Sequence, residues 1–173
     1  MAARGDDIET RLTALIPRLH RFAWMLTGAS ADADDVTQAT LERALIHRRE
    51  LSEGAHLEAW VIRVARNIWL DQLRRRRVRD VAVDPAMLGP GHDEKEDLRM
   101  QGQEALAAFA TLPPGQKEIA TLVLVEGYTY HEAATALEIP IGTVMSRLAR
   151  ARRALAERLL GPEDAPLAQG AGG

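Results

Sequence analysis

Apolar residues in this chain recur at steps of three and four and nowhere alternate with polar ones. A strand turns every second residue to one face, so a half-buried sheet needs alternation, whereas a helix that sinks one stripe into a core needs the longer step. The spacing therefore predicts an all-α protein. Leu12, Leu15, Ile16, Leu19, Phe22, Ala23 and Leu26 mark a first helix over about residues 8–28, stopped by Gly28, a natural C-cap. Ser30 can cap a second helix, which opens on Asp32, Asp34 and Asp35 at the positive end of its dipole and runs to about Arg48. The polar interval from Arg49 to His56, with Gly54, reads as a loop. Trp60, Val61, Val64, Ile68 and Leu73 then give the apolar face of a third helix, from about Leu57 to Arg77.

The periodicity fails from Asp80 to Asp97, where Pro85, Gly89, Pro90 and Gly91 precede a charged run, and this stretch reads as a flexible acidic linker. A second helical unit follows: about Leu98 to Thr111, then Pro114 to Glu126 closed by Gly127, then two more helices. The tail after Gly161 is rich in Gly, Ala and Pro and reads as disordered. The expected architecture is two small helical domains, 8–79 and 98–160, joined by a linker over 80–97 and trailed by 161–173.

The last two helices form the sharpest motif. Thr129 can cap the first of them, with Glu132 placed to complete a capping box, and Pro140 sets φ at the start of the second. Val144, Leu148, Ala151, Leu155 and Leu159 lie along one stripe of that second helix, and Thr143, Ser146, Arg147, Arg150 and Arg153 fall on the opposite face. Two short helices with a tight corner, the second presenting arginines, have the build of a helix-turn-helix that reads DNA from the major groove. A forked guanidinium suits guanine O6 and N7, and hydroxyls suit bases or phosphates. A solvated amphipathic surface helix would share the arginines, but not the capped partner and the Pro-Ile-Gly-Thr corner.

Charge is segregated. The net charge is −3, yet Trp60 to Arg79 holds seven arginines against one aspartate, and Pro140 to Leu160 five arginines against one glutamate. Two basic stretches on an otherwise acidic chain point to two separate contacts with a polyanion. There is no cysteine, and the five histidines lack metal-ligand spacing, so neither a disulfide nor a metal site is expected. No Gly-rich phosphate loop, nucleophile with its base, or carboxylate pair in an apolar setting is present, which argues against an enzyme, a cofactor or a small-molecule substrate. No leader pattern or apolar run approaching twenty residues is found, so the expectation is a cytoplasmic protein without membrane insertion.

Four segments in order carry a family likeness: Asp32-Ala33-Asp34-Asp35-Val36-Thr37-Gln38-Ala39-Thr40; Ala59-Trp60-Val61-Ile62-Arg63-Val64-Ala65-Arg66-Asn67 with Asp71 and the arginine run; Leu112-Pro113-Pro114; and Ile139 to Arg152. With them the chain resembles, from about Leu15 to Leu160, a sigma factor of the extracytoplasmic function (ECF) group of the sigma-70 family. The resemblance implies that the acidic helix docks on the clamp helices of the polymerase β′ subunit through Asp34, Asp35, Gln38 and Glu42, a face that on its residues alone could equally be a solvated one. It implies that Arg63, Arg66, Asn67, Arg74, Arg75 and Arg77 serve the −10 element and its melting, with Asn67 at the edge of a base pocket closed by the loop from Leu51 to Leu57. As a residue, Asn67 could also be a plain surface amide. That loop has no aromatic side chain, and Trp60 and Trp69 read as core or interface residues. Ile119, Leu122 and Val123 would meet the β flap, although two of the three fit a core role. Thr143, Ser146, Arg147, Arg150 and Arg153 would serve the −35 element.

The implied function is a dissociable subunit that binds core RNA polymerase, directs promoter-specific initiation, and is held by an anti-sigma factor. Two other readings share part of the pattern. A dimeric helix-turn-helix regulator would need only the C-terminal half, and a sigma-like decoy that titrates an anti-sigma factor would not need the arginine faces.

Overall fold

The structure, a computed structural model, describes residues 3–52, 56–79 and 96–160. Among them every regular element is helical: α1 (Ala3–Thr27), α2 (Ser30–Ile46), α3 (Arg48–Ser52), α4 (Leu57–Arg79), α5 (Glu96–Ala110), α6 (Pro114–Ala120), α7 (Tyr130–Leu137) and α8 (Ile141–Leu160), with α6 running on into a π-helical turn over Thr121–Val125. The all-α architecture with a C-terminal helix-turn-helix is as the spacing predicts. Most of the expected linker, 80–95, the tail 161–173, and residues 53–55 of the loop before α4 lie outside the described residues.

Local chemistry sets the helix ends. Gly28 stops α1 at φ 74°, a left-handed conformation that costs glycine nothing, and its N–H donates to the Trp24 carbonyl at 2.8 Å. Ser30 was expected to cap α2, but it is already the first helical residue. Ala29 is the N-cap, extended at φ −138° and without a side-chain cap. The chain reaches extended geometry one residue early because Thr27 ties the corner: its hydroxyl donates to the Ala23 carbonyl at 2.9 Å and accepts the Ala29 N–H at 3.5 Å. The loop expected over 49–56 contains the short helix α3, because Leu51 is buried and its N–H closes a turn on the His47 carbonyl at 3.1 Å.

In the N-terminal unit Leu19, Phe22 and Leu26 of α1, Val36 of α2, and Val61 and Ile62 of α4 are buried together. Trp69 is buried and Trp60 partly so, as core or interface residues. In the C-terminal unit Val144, Leu148, Ala151 and Leu155 bury the stripe of α8. Leu159, expected on that stripe, is 45% exposed, because α8 runs a turn beyond the elements it packs on. Ile119 and Leu122 are fully buried and Val123 partly so, which makes two of the three core residues.

The apolar interior does not stop at the boundary between the units. Ile119, Leu122, Tyr128, Ala133 and Leu137 share one buried cluster with the N-terminal core, while a smaller cluster of Ala108, Leu112, Ala120, Ala151 and Leu155 belongs to the C-terminal unit alone. α4 packs on α7, and α1 meets α5, α6 and the π-helical turn. Helical periodicity foresees the two bundles but not that they lie face to face.

Leu148→Ala removes a side chain with 1% exposure and should cost about 2–5 kcal/mol in urea unfolding, whereas Leu159→Ala should stay within about 0.5 kcal/mol. Equal losses would contradict this placement of the stripe.

Candidate nucleic-acid interface

The helix-turn-helix is held by its own backbone chemistry. The Thr129 hydroxyl accepts the Glu132 N–H at 3.2 Å and the Glu132 carboxylate accepts the Thr129 N–H at 2.8 Å, a complete capping box for α7. The Thr129 hydroxyl also donates to Glu132 Oε2 at 2.8 Å, and the Thr129 backbone N–H first, then this hydroxyl, hold the Glu132 carboxyl below its ordinary range. At the corner Glu138 is left-handed, φ 53° and ψ 45°, and the Pro140 carbonyl accepts the Thr143 and Val144 N–H groups at 2.9 and 3.2 Å to open α8. The buried stripe then fixes which face of α8 looks outward.

On that face Ser146, Arg150 and Arg153 are exposed and Thr143 half-buried. Arg153 pairs with Glu157 one turn on, Nε to Oε1 at 2.8 Å, a weak exposed pair that a phosphate can replace. Arg147 behaves differently. Its guanidinium folds back over Gly115, where a Cβ would stand 3.1 Å from Nη1, and reaches Glu118 Oε1 at 3.4 Å.

The arginines of α4 divide in the same way. Arg74 and Arg75 are exposed, the former paired with Asp71 at 2.6 Å, and Asn67 is exposed beside them. Arg77's side chain lies outside the described residues. Arg63 and Arg66 instead point at the C-terminal unit: Arg63 forms an ion pair with Glu138, and Arg66 grips Glu118 in a fork, Nε to Oε2 at 2.5 Å and Nη2 to Oε1 at 3.2 Å. Residues expected to serve two distant contacts, Arg66 and Arg147, thus meet at one carboxylate, whose side chain is 1% exposed.

A second junction lies alongside. Arg18 and Arg21 of α1 clamp the Glu126 carboxylate, which is fully buried, with Arg18 Nε at 3.1 Å and Arg21 Nε at 2.6 Å. Hydrogen bonding to Glu126, and attraction to it, hold the Arg21 guanidinium above its ordinary value. Arg18 also pairs with Glu58, donates from Nη2 to the Glu126 carbonyl at 2.8 Å, and lies 4.5 Å from the centre of the Tyr128 ring. The Tyr128 hydroxyl donates to Glu58 Oε1 at 2.7 Å. Burial foremost, then this bond, pushes the phenol well above its usual range.

Glu118, Glu126 and Tyr128 were not singled out from the sequence. A signal for Glu118 was present: it precedes Leu122 by four residues on a helix whose inner face is otherwise apolar, so the periodicity that buries Leu122 buries this acid too. On α2, Asp34, Asp35, Gln38 and Glu42 are exposed, Gln38 donating to Glu42 at 3.0 Å and Asp34 within 2.8 Å of the His20 ring. Among the described residues no group of His, Asp and Glu side chains could hold a metal ion, and no helix is long and apolar enough to cross a membrane.

The helix-turn-helix stands beside a second helical unit with an arginine face, and the family comparisons assign this pair of units to one class, the sigma-70 proteins. The family models for sigma-70 region 2 and sigma-70 region 4 match residues 12–79 and 102–155. Within that class the chain belongs to the ECF group of sigma factors. It is similar to the ECF RNA polymerase sigma factor EcfG of Rhodopseudomonas palustris, 31% identical over 167 residues that cover 92% of each chain. The ECF sigma factor SigL of Mycobacterium tuberculosis is 35% identical over 141 residues, 79% of this chain and 80% of its own. In structure it is similar to the sigma factor RpoE of Bartonella quintana, solved with the anti-sigma factor NepR: TM-score 0.71 and 30% identity, over 90% of this chain and 98% of that one.

The Tyr128 shift sets an alkaline limit. A phenol whose folded value is raised favours the folded form below its unfolded value, about 10, and that advantage is lost as pH rises beyond it. Melting temperature should therefore fall more steeply above about pH 10 for the parent than for Tyr128→Phe. Parallel slopes would remove the phenol from the balance.

Proposed function

We propose that this chain is a dissociable initiation subunit of bacterial RNA polymerase, with residues 8–79 acting as region 2 and residues 98–160 as region 4. The acidic face of α2, with Asp34, Asp35, Gln38 and Glu42, docks on the clamp helices of β′, where a basic partner surface suits it and DNA would be repelled. The α8 face with Thr143, Ser146, Arg147, Arg150 and Arg153 reads the −35 element. On α4, Asn67 and Arg63, Arg66, Arg74, Arg75 and Arg77 bind the −10 region and hold a base out of the stack, a cost of a few kcal/mol that pocket and charge must jointly recover. The β flap meets the C-terminal unit at partly buried Val123, since Ile119 and Leu122 are sealed inside. The protein acts in the cytoplasm by binding rather than by catalysis, and an anti-sigma factor holds it in check, as NepR is seen with the similar RpoE.

The observation that carries this reading is the exposed Arg150 and Arg153 on a helix that buries Val144, Leu148, Ala151 and Leu155 on its opposite stripe and whose partner helix α7 opens on a complete capping box. A solvated surface helix needs no such rigid seat. The test adds purified protein to core polymerase and reads transcription from promoters selected by the holoenzyme. Arg150→Ala and Asn67→Ala should each lower promoter-specific initiation by about 5- to 150-fold, the equivalent of about 1–3 kcal/mol per lost contact, with binding to core polymerase intact. A decoy would bind an anti-sigma factor and give no transcripts. A dimeric regulator would bind DNA without polymerase. Either result would displace the proposal.

A further inference from the structure

We propose that Lys117 is an acylation site, served by a cleft that admits small acyl phosphates. Of the 22 lysines and arginines in the chain only two are lysines, Lys95 in the charged run before α5 and Lys117 on α6. The difference is chemical. A guanidinium stays charged in a protein, whereas an amine can give up its proton and become a nucleophile.

The setting of Lys117 favours that change. Its Nζ donates to the Ala110 carbonyl at 3.1 Å, a neutral partner, and burial, unopposed by any carboxylate, holds the ammonium below its ordinary value. Such an amine is neutral in a larger share of molecules than a solvated lysine. Ala110 and Lys117 both line a cleft of about 220 Å³ where α1 and α4 meet α5 and α6. Leu26, Trp69, Leu73 and Pro114 give it apolar walls, and among its described residues Arg76 and Lys117 carry the charge.

A guanidinium and an amine facing one apolar cleft suit an anion with a short hydrocarbon end. The cleft is smaller than the roughly 300–1,000 Å³ that hold a drug-sized molecule, so it fits an acyl phosphate and not a nucleotide-bearing thioester. Arg76 gives Nη2 to Asp32 at 2.5 Å, and a phosphate would join that carboxylate on a guanidinium with five N–H donors.

In the reaction the lone pair of the neutral amine attacks the acyl carbon. The N–C bond forms and the C–O bond to phosphate breaks. Inorganic phosphate leaves with that bonding pair and with the proton that nitrogen gives up. The product is a neutral amide, which has lost the lysine charge and keeps one N–H for the Ala110 carbonyl.

The test incubates the full chain with acetyl phosphate and follows acetylation of each lysine by peptide mass spectrometry. Lys95, flanked by Glu94 and Glu96, is the internal reference, and Lys117 should react severalfold faster. Arg76→Gln should slow Lys117 severalfold, and Asp32→Asn, which releases the guanidinium from that carboxylate, should speed it. In both, Lys95 and the helical content by circular dichroism should match the parent. With acetic anhydride, which carries no charge, both variants should acetylate Lys117 at the parent's rate, because only the anion needs Arg76. Acetyl coenzyme A at the same concentration should label Lys117 more slowly than acetyl phosphate does.

Equal rates at the two lysines refute the site. If both variants keep the parent's rate toward acetyl phosphate, or change equally toward the anhydride, the cleft does not recruit the anion and the proposal fails. Labelling by the thioester as fast as by acetyl phosphate overturns the choice of acyl donor. None of these readouts needs polymerase or promoter DNA, so they stand apart from the function proposed above.

Discussion

One carboxylate out of reach of water, that of Glu118, organises how the halves of this protein meet. A buried charge is tolerated only when well-placed partners replace its hydration. Here both come from arginines, a fork from Arg66 on α4 and a single longer contact from Arg147 on α8. Two helices that the linker separates in sequence are thereby tied to α6. The apolar cluster that crosses the boundary, with Ile119 and Leu122 against the N-terminal core, supplies area but no direction. The charge pairs add register, since a guanidinium fork accepts a carboxylate in few orientations.

The same physics that fits arginine to phosphate fits it to carboxylate. The chain's basic residues are concentrated on α4 and α8 while the remainder is acidic. An inward subset, Arg63, Arg66 and Arg147, is neutralised by the acids of the C-terminal unit. An outward subset, Arg74, Arg75, Arg150 and Arg153, keeps at most exposed pairs with near neighbours on the same helix. Exposed pairs contribute little and yield to salt or to a phosphate, whereas the buried ones do not. The free molecule thus keeps a weak general attraction to a polyanion while its inward contacts stay occupied.

What could be read from sequence follows from which interactions are local. The stripe of α8, the capping box of Thr129 and Glu132, and the stop at Gly28 are set by residues within a turn or two of each other, and all appear in the structure. The cap of α2 was misplaced by one residue because a neighbouring hydroxyl, Thr27, competed with Ser30 for the corner. The exposed end at Leu159 depends on how far α8 outruns its neighbours, which periodicity does not encode. The candidate site was legible as a set of residue types and faces. Its division into inward and outward arginines was not, because that depends on Glu118, Glu126 and Glu138 arriving from a unit beyond the linker.

The corner of the helix-turn-helix carries this logic into the backbone. Glu138 sits at φ 53°, where a residue with a Cβ is strained by about 1–2 kcal/mol and glycine is not. Glycine there would close the corner with less strain but would have no carboxylate to offer Arg63. Because Pro140 opens α8 two residues later, the position that sets the angle between α7 and α8 is also the one bound to α4. The strain is thus coupled to the contact between units. Release of Arg63 leaves the corner held by its own backbone bonds, from Ile139 to Ala134 at 3.1 Å and from Glu138 to Thr135 at 3.3 Å. The geometry of the corner is therefore set within its own segment and does not rest on the contact with α4 alone.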